Sequence, residues 1–195
     1  MLRLERLTGE GLASRIDDLA ALRIAVFRDW PYLYGGDLDY ERGYIATYLH
    51  SARACLIAAF DDDRVVGAAT ALPLADEPGY VTGAFRDAGI ALDDVFYLGE
   101  SVLLPAYRGR GIGVGFFAER EAVARAGGFA WAYFCGVQRD PDDPRRPPGF
   151  VPLDAFWGRR GYRMVDGLTC RFSWREIGEA AESGKTMQFW RKRLD

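Results

Sequence analysis

The run Arg108-Gly109-Arg110-Gly111-Ile112-Gly113 places glycine at every second position between two arginines. Glycine takes positive φ without a steric penalty and lets a backbone come close to a ligand. An apolar run ends at Pro105 just before this turn, and an amphipathic pattern begins near Gly111 just after it. Proline donates no ladder hydrogen bond, so a central strand ends there. The helix that follows starts with N–H groups that lack intrahelical partners, and its dipole turns a positive end to the turn. The chemistry predicted is the binding of a phosphate-sized anion. Upstream, Glu100 interrupts the apolar strand next to Gly99, and that glycine predicts a bulge or a close backbone approach. A carboxylate in a buried strand is costly unless it is paired or faces a solvated cleft. Glu100 is therefore a candidate general base, with a structural ion pair as the alternative.

Two common phosphate loops do not fit. The P-loop requires a lysine that this turn does not have. The dinucleotide fingerprint needs a third glycine where Val114 or Phe116 stands. What remains, Arg108-x-x-Gly111-x-Gly113 preceded by Leu103-Leu104-Pro105-Ala106-Tyr107, resembles the acyl-CoA pyrophosphate loop of the GNAT superfamily of N-acetyltransferases. A second segment, Phe156-Trp157 followed by Gly161-Tyr162, resembles that family's other signature. The resemblance implies a mixed α/β sheet in which two neighbouring parallel strands splay apart to admit CoA, one ending near Leu104 and one beginning near Phe129.

The resemblance also implies roles for particular residues. The strand edge Val102, Leu103 and Leu104 would meet the pantetheine arm, with the Leu103 N–H polarising the thioester carbonyl. Arg108, Gly109, Arg110, Gly111, Ile112 and Gly113 would seat the pyrophosphate. Trp157 would contact the CoA arm from the short helix. Many family members carry a tyrosine acid at that position, and tryptophan has no acidic proton to offer. Tyr162, Tyr133 or Cys135 would have to protonate the thiolate, or it leaves unprotonated. The implied activity is acetyl transfer from acetyl-CoA to a primary amine of a small molecule or protein. The alternative is an acyl-CoA-binding sensor or structural module that has lost turnover.

Composition agrees with an enzyme of this kind. The 195 residues suit a single domain spanning 1–195. A net charge of −3 argues against a nucleic-acid partner. The cysteines Cys55, Cys135 and Cys170 are widely spaced, so neither a disulfide framework nor a metal site is expected. No apolar run is long enough to span a membrane, and unpaired cysteines fit a cytoplasmic setting. A homodimer is left open.

The elements that must position these residues are legible by period and punctuation. Leu2 to Leu7 reads as a half-buried strand and Thr8 to Gly11 as a turn. Ser14 is expected to cap a helix that ends before Pro31, and Asp37 or Asp39 to cap a second, aromatic helix. A hairpin turns at Asp61-Asp62-Asp63-Arg64. A short helix is expected within Tyr80 to Ala88, then the central strand from Asp94 to Leu104. Ile112, Phe116, Ala122, Val123 and Ala126 are expected to line the buried face of the helix after the glycine turn. A buried strand from Phe129 to Val137, an exposed loop over 139–149, a short helix near Phe156 and two last strands complete the chain. The loop and the aromatic segment Trp30 to Gly36 are expected to frame the acceptor, and His50 to lie on the surface.

Gly111→Glu is expected to abolish CoA binding, because a side chain and a negative charge enter the proposed anion seat. Calorimetric titration with CoA checks this, and an unchanged affinity would overturn the loop assignment.

Overall fold

In the computed structural model the described residues are 1–49 and 51–195, with Thr47 described by its backbone alone. His50 lies outside the described residues. Seven strands form one mixed sheet in the order β1-β2-β3-β4-β5-β7-β6. They are β1 (Leu2–Leu7), β2 (Cys55–Asp61), β3 (Arg64–Pro73), β4 (Val95–Leu103), β5 (Trp131–Val137), β6 (Arg163–Trp174) and β7 (Ser183–Arg193). Helices α1 (Gly9–Ala13), α2 (Ile16–Phe27), α3 (Leu38–Ala46) and α4 (Gly79–Asp87) supply Leu12, Leu19, Leu22, Ile45, Val81 and Phe85 to the core on one face. On the other face α5 (Ile112–Ala126) and α6 (Asp154–Gly158) pack Ile112, Phe116, Phe117, Phe156 and Trp157. The expected α/β mixed sheet, flanked by helices, is the observed one.

The pair β4–β5 is parallel, and it is paired only at Val95–Trp131, Phe96–Ala132 and Tyr97–Tyr133. Beyond Tyr97 the two strands part, as expected of the strands that end near Leu104 and begin near Phe129. A bulge lies at this point. Ala69 pairs with Ser101 and Ala71 with Leu98, so Gly99 and Glu100 together oppose the single residue Thr70. A Cβ on Gly99 would stand 2.6 Å from Thr70 Oγ1 and 3.1 Å from the Tyr48 hydroxyl, which is why the position is glycine. The extra residue inverts the side-chain alternation of the strand. Tyr97 before the bulge and Val102 after it both belong to the core beneath α2 and α3, although five positions separate them.

Several local expectations change. Residues 9–13 are helical rather than a turn. Ser14 ends α1, its Oγ donating to the Gly11 carbonyl, so it does not cap α2; Arg15 occupies that position without a side-chain cap. At α3 the capping residue is Asp37, whose Oδ1 accepts the Tyr40 N–H at 2.9 Å. On α5, Ala122 and Ala126 are exposed, and the buried polar residues are Arg120 and Glu121. Amphipathic counting passes over Arg120 because arginine reads as a surface residue. It is 1% exposed. Its Nη1 donates to the carbonyls of Thr70 at 3.1 Å and Glu100 at 3.0 Å, and its Nη2 donates to Ser101 Oγ at 2.8 Å. Burial lowers its pKa to about 10.

Arg120→Met is expected to leave the two bulge carbonyls without these donors and to cost roughly 3 kcal/mol of stability, the scale of buried unsatisfied polar groups. Urea unfolding measures it, and an unshifted midpoint would show that the bulge does not need this side chain.

Candidate functional site

The glycine turn has the geometry of an anion seat. Gly109 and Gly111 take φ of 76° and 83°, which side chains rarely tolerate. Gly111 is the N-cap of α5. Among the described residues no backbone acceptor takes the N–H of Gly109, Arg110, Gly111, Ile112, Gly113 or Val114. Open donors at the positive end of a helix dipole are an arrangement that suits an anion. A Cβ on Gly113 would lie in ordinary contact, 3.4 Å, with the Phe156 ring of α6. Arg108 donates from Nε to the Leu103 carbonyl at 3.3 Å, and the Arg110 guanidinium stands 5.2 Å from the Tyr107 ring centre. Both arginines are exposed at the turn.

The strand edge beside the turn is free where the resemblance requires it. Leu104 donates its N–H to Val66 across β3. By antiparallel alternation Val102 and Leu104 therefore turn toward β3, and the Leu103 N–H turns toward the edge from which β5 has diverged. Trp157, on α6, closes the far side. Its ring packs against Gly136 of β5, where a Cβ would meet it at 3.0 Å, and against Phe134 and Trp190 with ring centres 5.0 and 5.1 Å away. The aromatic at position 157 is thus a half-buried wall.

On the opposite face of the sheet the bulge delivers Glu100 toward α2 and α3. Its Oε1 forms an ion pair with Arg23, and its Oε2 accepts from the Tyr44 hydroxyl at 2.9 Å. Arg23 also pairs with the fully buried Glu41, whose other oxygen accepts from Tyr34 at 2.7 Å. Burial opposes the charge of Arg23, but Glu100, Tyr44 and Glu41 more than offset it and hold the guanidinium well above its ordinary value. Burial, with the charge of Glu100 beside it, raises the Tyr44 phenol well above its ordinary value. The structure thus pairs Glu100, the arrangement weighed against a free base, while its side chain remains 12% exposed. The partner Arg23 was not legible from the sequence, because it sits on α2 far along the chain in a position that reads as a charged interruption.

The acids suggested for the thiolate are poorly suited. The Tyr162 hydroxyl donates to Glu121 at 3.0 Å, and burial with that carboxylate raises its pKa. The Cys135 thiol lies 3.0 Å from the Tyr97 hydroxyl, and its hydrogen bond with Cys170, together with burial, pushes it well up. Tyr133 is buried, with its hydroxyl 3.5 Å from Arg191 Nη1.

The loop after β5 is anchored rather than loose. Arg139 donates to the carbonyls of Pro31 at 2.6 Å and Tyr32 at 3.2 Å, and pairs with Glu176 at 2.7 Å. Arg145 reaches the same buried Glu176 at 2.5 Å. The aromatic segment and the long loop are therefore fastened together. Among the described residues no cluster of three His, Cys, Asp or Glu side chains is arranged to hold a metal, and no helix is long and apolar enough to cross a membrane.

The model of the Acetyltransferase (GNAT) family matches residues 19–146. The chain belongs to the GNAT acetyltransferase family. No curated protein matches its sequence. Solved GNAT-fold structures align over almost the whole chain. A ribosomal-protein-alanine N-acetyltransferase from Brucella melitensis is 15% identical with a TM-score of 0.65, covering 98% of this chain and 99% of its own. An aminoglycoside 6'-N-acetyltransferase complexed with coenzyme A is 15% identical with a TM-score of 0.62, covering 99% and 97%. The PaiA N-acetyltransferase from Thermoplasma acidophilum, also in complex with coenzyme A, is 13% identical with a TM-score of 0.58, covering 99% of each chain. At these identities the likeness is one of fold.

Arg23→Met is expected to lower stability by roughly 3–5 kcal/mol, because it removes the cation between the fully buried Glu41 and the half-buried Glu100. Chemical denaturation reads the loss, and a variant as stable as the parent would mean that water reaches Glu41.

Proposed function

We propose that this GNAT protein transfers an acetyl group from acetyl-CoA to a primary amine by direct attack. The observation that carries the reading is the juxtaposition at one bulge. The unpaired donors of the glycine turn and the Leu103 N–H lie on the cofactor side of β4, and the carboxylate of Glu100 lies on the acceptor side. Arg108, Gly109, Arg110, Gly111, Ile112 and Gly113 would hold the pyrophosphate, and Val102, Leu103 and Leu104 would line the pantetheine arm, with Trp157 as the opposite wall. CoA-bound members of the fold support this seat.

The Leu103 N–H would polarise the thioester carbonyl and steady the oxyanion. Glu100 arrives pre-oriented by Arg23 and Tyr44. Each carboxylate oxygen can accept a second hydrogen bond, so Glu100 remains able to attract the ammonium of the acceptor. Once the ammonium has given one proton to water, the nitrogen lone pair forms the bond to the thioester carbonyl carbon, the C–S bond breaks, and the thiolate, a tolerable leaving group because a thiol has a pKa of about 8.5, takes the second proton from the new amide nitrogen. The reading needs no acid at Trp157.

Thiol release from acetyl-CoA across a panel of primary amines tests it. Release with at least one amine is expected, and CoA binding without release for any of them would support the acyl-CoA-binding module instead. With an accepted amine, Glu100→Gln is expected to lower kcat/KM roughly 10-fold to 100-fold, the loss of a charge-assisted hydrogen bond, with CoA affinity unchanged. An unaltered kcat/KM would remove Glu100 from the acceptor site.

A further inference from the structure

A single buried carboxylate ties together three segments that the sequence keeps far apart. Glu176, in the turn between β6 and β7, is 3% exposed. Its Oε1 pairs with Arg139 at 2.7 Å and with Lys185 at 3.3 Å, and its Oε2 pairs with Arg145 at 2.5 Å. Arg145 also pairs with Asp143 at 2.6 Å, and Lys185 with Glu179 at 3.4 Å, so three cations meet three carboxylates. The loop 139–149 that carries two of these cations leaves the end of β5, the strand that diverges from β4 beyond Tyr97.

The aromatic segment 30–36 is joined to the same turn through its backbone. Tyr34 and Glu176 oppose each other in an antiparallel bridge. Gly35 donates its N–H to the Arg175 carbonyl at 2.9 Å, and Ile177 donates to the Leu33 carbonyl at 2.8 Å. Trp174 at the end of β6 donates from Nε1 to the Tyr32 carbonyl at 3.0 Å. Within this segment Leu33 takes φ of 53°, uncommon for a residue with a side chain and kept only where the surroundings over-determine it. From Tyr34 the contacts continue to the bulge. The Tyr34 hydroxyl donates to Glu41 at 2.7 Å, Glu41 pairs with Arg23, and Arg23 pairs with Glu100. The clasp at Glu176 and the carboxylate of Glu100 are thus two ends of one chain of contacts.

We propose that Glu176 is a positioning residue of the acceptor site. It holds segment 30–36 and loop 139–149 in the arrangement that receives the amine, and through Tyr34 and Glu41 it steadies Arg23 on Glu100. The inference rests on the transferase reading above. Glu176 takes no part in the bond changes. With the clasp closed, the amine meets a wall that is already ordered, and binding carries no cost of ordering it. With Gln at position 176, Arg139, Arg145 and Lys185 lose their shared anion, and like charges with no counterion between them drive apart. The loop and the segment then have to be ordered each time an acceptor binds. The glycine turn is built from other elements, the end of β4 and the start of α5, so its hold on CoA does not depend on the clasp.

The experiment compares the wild type with Glu176→Gln and Arg145→Gln, using spermidine and tyramine as probe acceptors, CoA calorimetry as a control and hydrogen exchange as a second reading. Both variants are expected to raise KM for an accepted probe, roughly 10-fold in Glu176→Gln and several-fold in Arg145→Gln, with kcat changed less than about threefold and CoA affinity unchanged. In Glu176→Gln the N–H groups of Gly35 and Ile177, which pair across the two segments, are expected to exchange faster together, by roughly 10-fold or more. The variants alter the local charge in opposite directions. A site that merely felt that charge would bind a cationic amine more weakly in Glu176→Gln and more tightly in Arg145→Gln. A KM that falls or stays put in Arg145→Gln therefore overturns the positioning role. An unaltered KM in Glu176→Gln, or exchange at Gly35 as slow as in the wild type, overturns it as well. Should Glu176→Gln fail to fold, Arg145→Gln decides, because Arg139 and Lys185 still neutralise Glu176 there. A wild type that binds CoA yet acetylates neither probe nor any other amine of the panel overturns the transferase reading, and this inference with it.

Discussion

Two arginines grip one strand from opposite faces of the sheet. From α5, Arg120 binds the backbone carbonyls of the bulge. From α2, Arg23 binds the carboxylate that the bulge presents. A bulge weakens a ladder because its extra residue loses its place in the pairing. Here the lost interactions are replaced by a buried guanidinium on one side and a charged network on the other. The Glu100 N–H is satisfied by Thr70 Oγ1 at 3.1 Å, which also accepts from Tyr48 at 3.0 Å. Helix α5 and helices α2 and α3 are thereby tied to the same residue of β4, Glu100, α5 through its carbonyl and α2 and α3 through its carboxylate.

This arrangement explains why the two halves of the site differ in character. The side of the glycine turn is built from backbone: N–H groups at a helix start, a strand edge, and glycines that allow positive φ. The side facing α2 and α3 is built from buried and half-buried charges whose partners come from separate elements. Such a network is costly to assemble and costly to break.

The parts of the molecule written in local pattern were legible beforehand. Pro105 and the spaced glycines announced the strand–turn–helix unit, and Gly99 announced the bulge, because these residues act through their own φ and their own missing atoms. The splay followed from the family resemblance. What periodicity does not convey is a polar residue that is buried because something distant binds it. Arg120 and Glu41 both read as surface positions on amphipathic helices. Their partners lie 50 and 18 residues away, and only the folded sheet brings them together. The Pro- and Arg-rich loop was expected as a loop, but its anchoring was not legible, since Glu176, which fastens it, belongs to the turn between β6 and β7. Ser14 failed as a cap because α1, an extra helical turn before α2, takes it as its end.

The bulge also works like a shift of reading frame. On a regular strand, Tyr97 and Glu100 would point to opposite faces, since an odd number of steps separates them. The extra residue brings them to the same side. The face on which the acid works is thus set by the count of residues between Tyr97 and Val102, not by the identity of residue 100. Removing Gly99 would turn an unchanged glutamate to the other face of the sheet, beneath α5, away from Arg23 and Tyr44. For this strand, insertions and deletions are the changes that alter chemistry, and redesign of the acceptor site has to preserve its length before its residues.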